Sequence, residues 1–354
     1  MIGSTGDATV TPQGAADLLS GVQENIWVTS SDQQSQFYIA GALKPWPGIQ
    51  DGIILQGIGG GAADFKHIDL SAARQPGVTW TGTKYDPMTV DLVLEAHGST
   101  PQGISRVVSE WVTMWSPVLT NVVEWWNLDT GYWWAPFRLA RSWPDKQKLM
   151  QRVLKTRVLT QQIRQDTSFW FGMPSISTYS PGASGAGSDW LPLVNIGDQI
   201  AWPTILFTGP GTISFSNGPA AGTQSWITFG PLQAGQTVLL NMNKRAPSVV
   251  DLSGSPSYTT GITGPGANLI DFFFGANPFG FYAPSIAGFF ESFFGVYPAQ
   301  GPLWQLLNGQ YTNPFPGTRQ PRWAPQNYLA VQVSGGSAAT SVTARIDPQR
   351  SWPE

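Results

Sequence analysis

LPLVNIGDQIAWPTILFTGPGTISFSN, residues 191–217, decides the fold class. Three short runs rich in β-branched and aromatic residues, LPLVNI, IAWPTILFT and TISFSN, are separated by turns of Asn, Gly and Pro, the rhythm of a β-sandwich. The rhythm continues through SWITFG, TVLLNM and SVVDL, and resumes toward the end of the sequence in NYLAVQV and SVTARID. Between these groups, residues 255–325 read as an aromatic, Gly/Pro-rich insertion containing IDFFFGANPFGFY and GFFESFFGVYP. An insertion of this length between neighbouring strands is expected to carry interactions. Its longest uncharged aromatic stretch, Phe272 to Phe290, is broken by Gly275, Pro278, Gly280, Pro284 and Gly288, which argues against a membrane-spanning helix.

Upstream of the deciding stretch, MPSISTYSPGASGAGSD (173–189) is a run of small, turn-forming residues and reads as a connector. The preceding 1–172 alternate strand signals with one helix. In VTWTGTKYDPMTVDLVLEA (78–96), Val90, Leu92 and Leu94 face one way and Asp91, Val93 and Glu95 the other, so strands flank a turn at Asp86-Pro87. In STPQGISRVVSEWVTMWSP (99–117), Thr100 can cap a helix and Pro101 suits its first position. Ile104, Val107, Val108, Trp111, Val112 and Trp115 give that helix an apolar stripe, Arg106 and Glu110 an i,i+4 pair, and Pro117 its stop. Next, VVEWWNLDTGYWWAPFRLA (122–140) reads as a hairpin around Asn127–Gly131, with cross-strand pairs among Trp125, Trp126, Trp133 and Trp134. Thr156 to Gln165 reads as a strand. The fold class is therefore mainly β: an N-terminal β-rich domain with one helix (1–172), a connector (173–189), and a sandwich (190–354) carrying the insertion.

Composition narrows the function. The chain has 354 residues, of which 12% are charged, about half the roughly 25% of ordinary soluble domains. With 17 Trp, 18 Phe and 9 Tyr, such a surface suits burial in an assembly. The 40 Gly and 29 Pro argue against long helices. Zero Cys excludes disulfide scaffolds, thiolate metal sites and cysteine nucleophiles. The opening MIGSTGDATVTPQG shows neither a basic nor an apolar leader segment. A net charge of -3 gives no bulk attraction to nucleic acid or anionic membranes.

Motifs for chemistry are missing. The two histidines, His67 and His97, lie in no metal-binding spacing and read as structural or solvent-facing. Gly57 to Gly61 is not followed by a phosphate-loop Lys, and no GxSxG elbow occurs. Glu110 and Glu124 read as solvated partners rather than a glycosidase pair. Eight basic residues, Arg138, Arg141, Lys146, Lys148, Arg152, Lys155, Arg157 and Arg164, read as a solvated strand face or a contact for an acidic partner. No catalytic, cofactor-binding or metal-ligating residue is assigned, and no cofactor is expected.

The passage Asn195 to Asn217, with Asn195, Gly197, Asp198, Pro203, Gly209 and Asn217 as its fixed points, resembles the opening of the C-terminal sandwich of distal tail proteins of long-tailed phages. LQAGQTVLL (232–240) and VVDLSG (249–254) resemble the next strands of that family, and RQDTSFW (164–170) the end of its N-terminal domain. The Trp-rich, Cys-free style is most similar to minor tail proteins of phages infecting actinobacteria. The insertion has no counterpart there. The resemblance implies an N-terminal belt domain that assembles into a homo-hexameric ring, and a galectin-like sandwich. Implied partners are the tail tube, tape measure and tail-tip hub proteins, with DNA passing through the bore unbound. The implied location is the virion tail tip, after synthesis in the host cytoplasm. A structural, non-enzymatic role follows, with Trp125, Trp126, Trp133, Trp134, Phe272, Phe273, Phe274, Phe289, Phe290, Phe293 and Phe294 as expected interface residues. The alternatives are a carbohydrate-binding tail module, in which exposed Trp hold cell-wall glycan, and a virion-associated glycan hydrolase.

Overall fold

A computed structural model describes residues 24–71, 77–142, 155–219, 225–243, 247–252 and 305–353. Two compact units emerge. The first comprises the chain to Met173 together with Gln320–Arg322 and Gln349–Glu354, and the second comprises Pro174–Arg319 and Trp323–Pro348.

The first unit holds β1 (Glu24–Thr29), β2 (Gln36–Ala40), β3 (Gly52–Gly60), β4 (Phe65–Leu70), β5 (Thr79–Tyr85), β6 (Met88–His97), α1 (Pro101–Met114), β7 (Asn121–Asn127), β8 (Gly131–Leu139), β9 (Thr156–Gln165) and β10 (Trp170–Gly172). An antiparallel sheet runs β2-β1-β7-β8-β9-β6-β3. Its end strands β2 and β3 also lie against each other, so the sheet curls around its buried face. The alternation read from the sequence sets that face: Val90, Leu92 and Leu94 are buried, and Asp91 and Val93 are exposed on the other side. Each large apolar side chain so buried contributes about 1.5–3 kcal/mol.

Helix α1 forms where the sequence places it. The Thr100 hydroxyl accepts from the Gly103 amide at 3.0 Å, Pro101 opens the first turn, and Ile104, Val107, Val108 and Trp111 are buried. Buried Trp111 donates its indole N–H to Gln161 of β9 at 2.9 Å and meets Phe37 of β2 edge to face. The expected Arg106–Glu110 pair does not form, because tertiary partners outcompete a weak local one: Arg106 reaches Asp51 at 3.1 Å and Glu110 accepts from the Ser35 hydroxyl at 2.8 Å. Asp51 also accepts from the Ser99 amide (2.7 Å) and hydroxyl (2.8 Å) just ahead of the helix.

The second unit is the β-sandwich. Its strands are β11 (Ser175–Tyr179), β12 (Gly187–Val194), β13 (Thr204–Thr208), β14 (Gly211–Ser216), β15 (Trp226–Leu232), β16 (Thr237–Asn241), β17 (Ser248–Asp251), β18 (Leu307–Asn308), β19 (Gln326–Ser334) and β20 (Ser341–Ile346). Two sheets, β11-β20-β13-β16-β17 and β12-β19-β14-β15-β18, share one core containing Leu191, Leu193, Ile205, Phe207, Ile213, Phe215, Phe229, Val331 and Val342. The stretch 173–189 departs from its reading as a connector. It supplies β11 and the start of β12, because an edge strand is held by backbone pairing to one neighbour and needs no run of apolar side chains.

The chain then returns to the first unit. Strand β21 (Gln349–Arg350) pairs with Trp170–Phe171. The Arg350 guanidinium lies 5.7 Å over the Trp133 ring, and Trp352 packs edge to face on Trp125 at 5.4 Å. The Pro353 carbonyl accepts from Asn127 Nδ2 at 3.1 Å and from the Thr130 hydroxyl. At left-handed Gly61 a Cβ would fall inside the Trp352 ring. The first unit is thus discontinuous in sequence, and the sandwich reading of 190–354 gives up its last residues.

Two outcomes test this packing. Trp352→Ala is expected to destabilise the first unit by about 2–3 kcal/mol, seen as faster hydrogen exchange in β7, β8 and β10 with protection in β13 and β16 unchanged; unchanged exchange in β7 and β8 would make the returning strand dispensable. The Ser99 amide first, then its hydroxyl, with Arg106 adding, hold the Asp51 carboxyl below its ordinary value of 3.8. The stability that Asp51 contributes is therefore present above that value and lost as pH falls through the lower folded value. Asp51→Asn should lower the denaturation midpoint at neutral pH, and its deficit relative to the parent should shrink in acid.

Candidate functional site

Strands β3 and β6 pair antiparallel, and β4 and β5 continue the same ribbon past a break. Gly60 faces Val90 and Phe65 faces Tyr85, a single register on both sides. The break is bridged by Gly61 N–H to the Thr89 carbonyl at 3.2 Å and Asp86 N–H to the Asp64 carbonyl at 2.8 Å. Beside β6, strand β9 pairs from His97 as far as Met88 and stops. Beyond that point β4 and β5 form a two-stranded sheet of their own.

This arm is exposed along its length. Every residue of β4 is exposed, as are Val78, Trp80 and Tyr85. One face carries Phe65, His67, Trp80 and Tyr85, with Phe65 against His67 at 5.3 Å and the Trp80 indole donating to Thr83 at 3.3 Å. The other carries Lys66, Ile68 and Leu70, with Lys84 directly opposite Lys66. Two like charges across a strand pair are unfavourable, and an isolated two-stranded ribbon is marginal in water. Lys66 is relieved by Asp86 at 3.1 Å. The sequence shows strands here but not the arm, whose signal is the one register shared by 57–68 and 82–93, between a shift at Leu55/Gly57 and another at Ile68/Asp69.

The four tryptophans expected at an interface divide. Trp125 faces Trp133 across β7 and β8, and both are fully buried in the core against Trp170, Trp352 and Arg350. They are core residues rather than interface residues, because the period of two that pairs them also turns them inward. Trp126 and Trp134 point outward, half-buried, and oppose Tyr132 and Glu124 rather than each other. Trp134 packs on Phe171 at 5.0 Å. Glu124 accepts from the Thr29 and Tyr132 hydroxyls, within an aromatic row in which Trp27 meets Tyr38 and Tyr132 at about 6 Å. Burial, with Glu124 beside it, pushes the Tyr132 phenol above its ordinary value. Phe272, Phe273, Phe274, Phe289, Phe290, Phe293 and Phe294 lie outside the described residues.

In the sandwich, the Asn195–Asn217 passage is a clamp. Buried Asn195 donates through Nδ2 to the carbonyls of Gln199 (2.8 Å) and Pro316 (3.0 Å), and its Oδ1 accepts from Gly197 N–H at 3.0 Å. The Gly197 carbonyl accepts from Thr318 N–H, and Ala201 and Phe315 exchange two backbone bonds. Asn217 accepts from Thr312 N–H at 2.7 Å and donates to the Thr312 hydroxyl at 2.9 Å. A Cβ at Gly317 would strike the Asp198 carbonyl, and one at Gly209 the Gln233 carbonyl. Pro203 accepts from Met242 N–H at 3.1 Å. What both asparagines hold is residues 311–318, within the expected insertion 255–325. That boundary is corrected: Leu307–Asn308 pair with β15, and Tyr311 and Phe315 are buried in the sandwich core.

Among the described residues no group of three or more His, Cys, Asp or Glu is placed to hold a metal ion. His97 is buried with Nε2 3.6 Å from Glu95. Arg138 and Arg164 oppose each other on β8 and β9 and share Asp166. Lys146, Lys148 and Arg152 lie outside the described residues. No described helix is long and apolar enough to cross a membrane.

Solved structures similar to this chain include three from phage tails. The SPP1 Dit (gp 19.1) protein, described as a paradigm of the hub adsorption apparatus in phages infecting Gram-positive hosts, is 9% identical, with a TM-score of 0.45 over 84% of this chain and 93% of that one. The phage P2 baseplate in its activated conformation, with Ca and with Sr, gives 8% identity and a TM-score of 0.41 in both cases, over 93% of this chain and 99% of that one. No protein-family model and no curated protein matches the chain.

Asn217→Ala removes both bonds to Thr312 and the bond to the Ser225 hydroxyl from a buried position. It should cost the sandwich about 2–3 kcal/mol, measured by chemical denaturation, with exchange accelerating at residues 311–318 before the rest of the unit.

Proposed function

We propose that this protein is a structural, non-enzymatic component of a phage tail: a distal tail protein whose first unit builds a homo-hexameric ring joining the tail tube to the tip apparatus. The single observation that carries the assembly part is the exposed arm β4–β5. A two-stranded ribbon with exposed apolar side chains, and with no third strand on it among the described residues, is poorly stable in water alone and gains burial and backbone partners when seated on another chain. The tail context rests on the Asn195–Asn217 passage and its resemblance to the sandwich of distal tail proteins. Low overall charge fits surfaces that are covered in the assembly. The mechanism is geometric. A contact between unlike patches on successive copies closes into a ring when its rotation divides the circle, and the ring presents that symmetry to whatever docks on it. Tail tube, tape measure and hub proteins are the proposed neighbours, and DNA passes the bore without specific contacts.

Negative-stain electron microscopy of the purified protein, alone and mixed with its tail-tube protein, tests this. Six-membered rings are the expected outcome. Monomers under both conditions would overturn the ring, and turnover of purified cell wall by the isolated chain would overturn the non-enzymatic reading.

A further inference from the structure

The outward face of the curled sheet holds a patch whose chemistry mirrors one face of the arm. On β6, Asp91, Val93 and Glu95 point outward, and on β9 Val158, Thr160 and Gln162 stand opposite Glu95, Val93 and Asp91 respectively. Val93 and Val158 are 40% and 59% exposed. On the other side, β3 opposes Val93 with Gly57 and Asp91 with Gly59, so β3 places no side chain directly opposite Val93 or Asp91. Asp91 accepts from Gln162 at 2.8 Å and Glu95 from Gln56 at 2.6 Å, and neither pairs with a Lys or Arg among the described residues. The patch is therefore Val93 between two carboxylates, with Val158 beside Glu95 on the neighbouring strand.

The arm's lysine face is the complement. Ile68 and Leu70 are 51% and 63% exposed, Lys66 is held by Asp86, and Lys84 makes no ion pair among the described residues. Arm and patch belong to the same ribbon, so they cannot meet within one chain. Asp91 lies opposite Gly59, and Lys84 lies opposite Lys66 farther along the same register, roughly 24 Å away at the rise of a strand. The arm leads away from its own patch.

We propose that the Lys66–Ile68–Leu70 face of the arm seats on the Asp91–Val93–Val158 patch of a second copy of this chain, with Lys84 against Asp91 and the aliphatic side chains against the two valines. This rests on the reading that copies of the chain assemble, and adds to it the contact and its direction. Arm and seat are different surfaces, so the contact runs head to tail and each copy both gives an arm and receives one. Charge complementarity fixes which neighbour fits, and burial of the aliphatic face supplies the attraction.

Charge reversal tests the pairing. Lys84→Glu alone and Asp91→Lys alone should each lower the assembled fraction at least tenfold, read by light scattering and electron microscopy, with unaltered circular dichroism. The two changes in one chain should restore assembly. An equimolar mixture of the two single variants should also restore it, in rings of alternating chains, which only an even-numbered ring permits. Because the chain contains no cysteine, Lys84→Cys with Asp91→Cys in one chain should give, on oxidation, a ladder of cross-linked copies. If the parent chain forms rings but both single reversals do too, or the double-cysteine chain gives no ladder, the seat is wrong and the assembly reading stands. If the parent chain stays monomeric beside tail-tube protein, both fall.

Discussion

A β-ribbon has two edges and two faces, and each must find a partner or remain in water. Where β3 and β6 lie in the sheet, β9 occupies one edge and the core one face. Past Gly61 the same register continues with neither among the described residues. The first unit therefore contains its own unfinished surface, made by the strands that complete its core, and an arm so joined cannot shift its pairing without moving Val90, Leu92 and Leu94 out of that core.

The sandwich handles its polar backbone differently. Where the chain leaves β12 and β14 it must turn, and the turns expose carbonyls and amides that packing would otherwise strand. Asn195 and Asn217 satisfy them with short side chains that both donate and accept. The two residues act at opposite ends of one segment, residues 311–318, and draw it into the core between the turns. The resemblance seen in the sequence thus lies on residues with a definite mechanical task.

Much of this was legible in the sequence. Turn residues at regular spacing marked the strands from β12 to β17 and again β19 and β20, because Gly, Pro and Asn report local backbone geometry. Helix α1 was legible for the same reason: Thr100, Pro101 and the stripe to Trp111 are local signals. Partners distant in sequence were not. Arg106 meets Asp51, Trp125 is covered by Trp352, and Phe315 bridges Ala201, and none of these leaves a trace in a window of ten residues. The tryptophans misled because an aromatic pair at a hairpin looks the same whether it faces solvent or core. The seven phenylalanines expected at an interface lie outside the described residues, and the arm is hidden because its strands look ordinary one at a time.

The strand Gln349–Arg350 has a temporal consequence. Residues of the first unit up to Met173 are made early, and the ribosome must then add Pro174 to Pro348 before Gln349 appears. At about 5–20 residues per second this interval lasts roughly 10–35 s. Throughout it Trp125 and the Asn127 turn lack their lid, and the early half waits half-closed. Only a nascent polypeptide that has been translated past Pro353 can lock it, so a prematurely stopped product is marked as unfinished by its own open core.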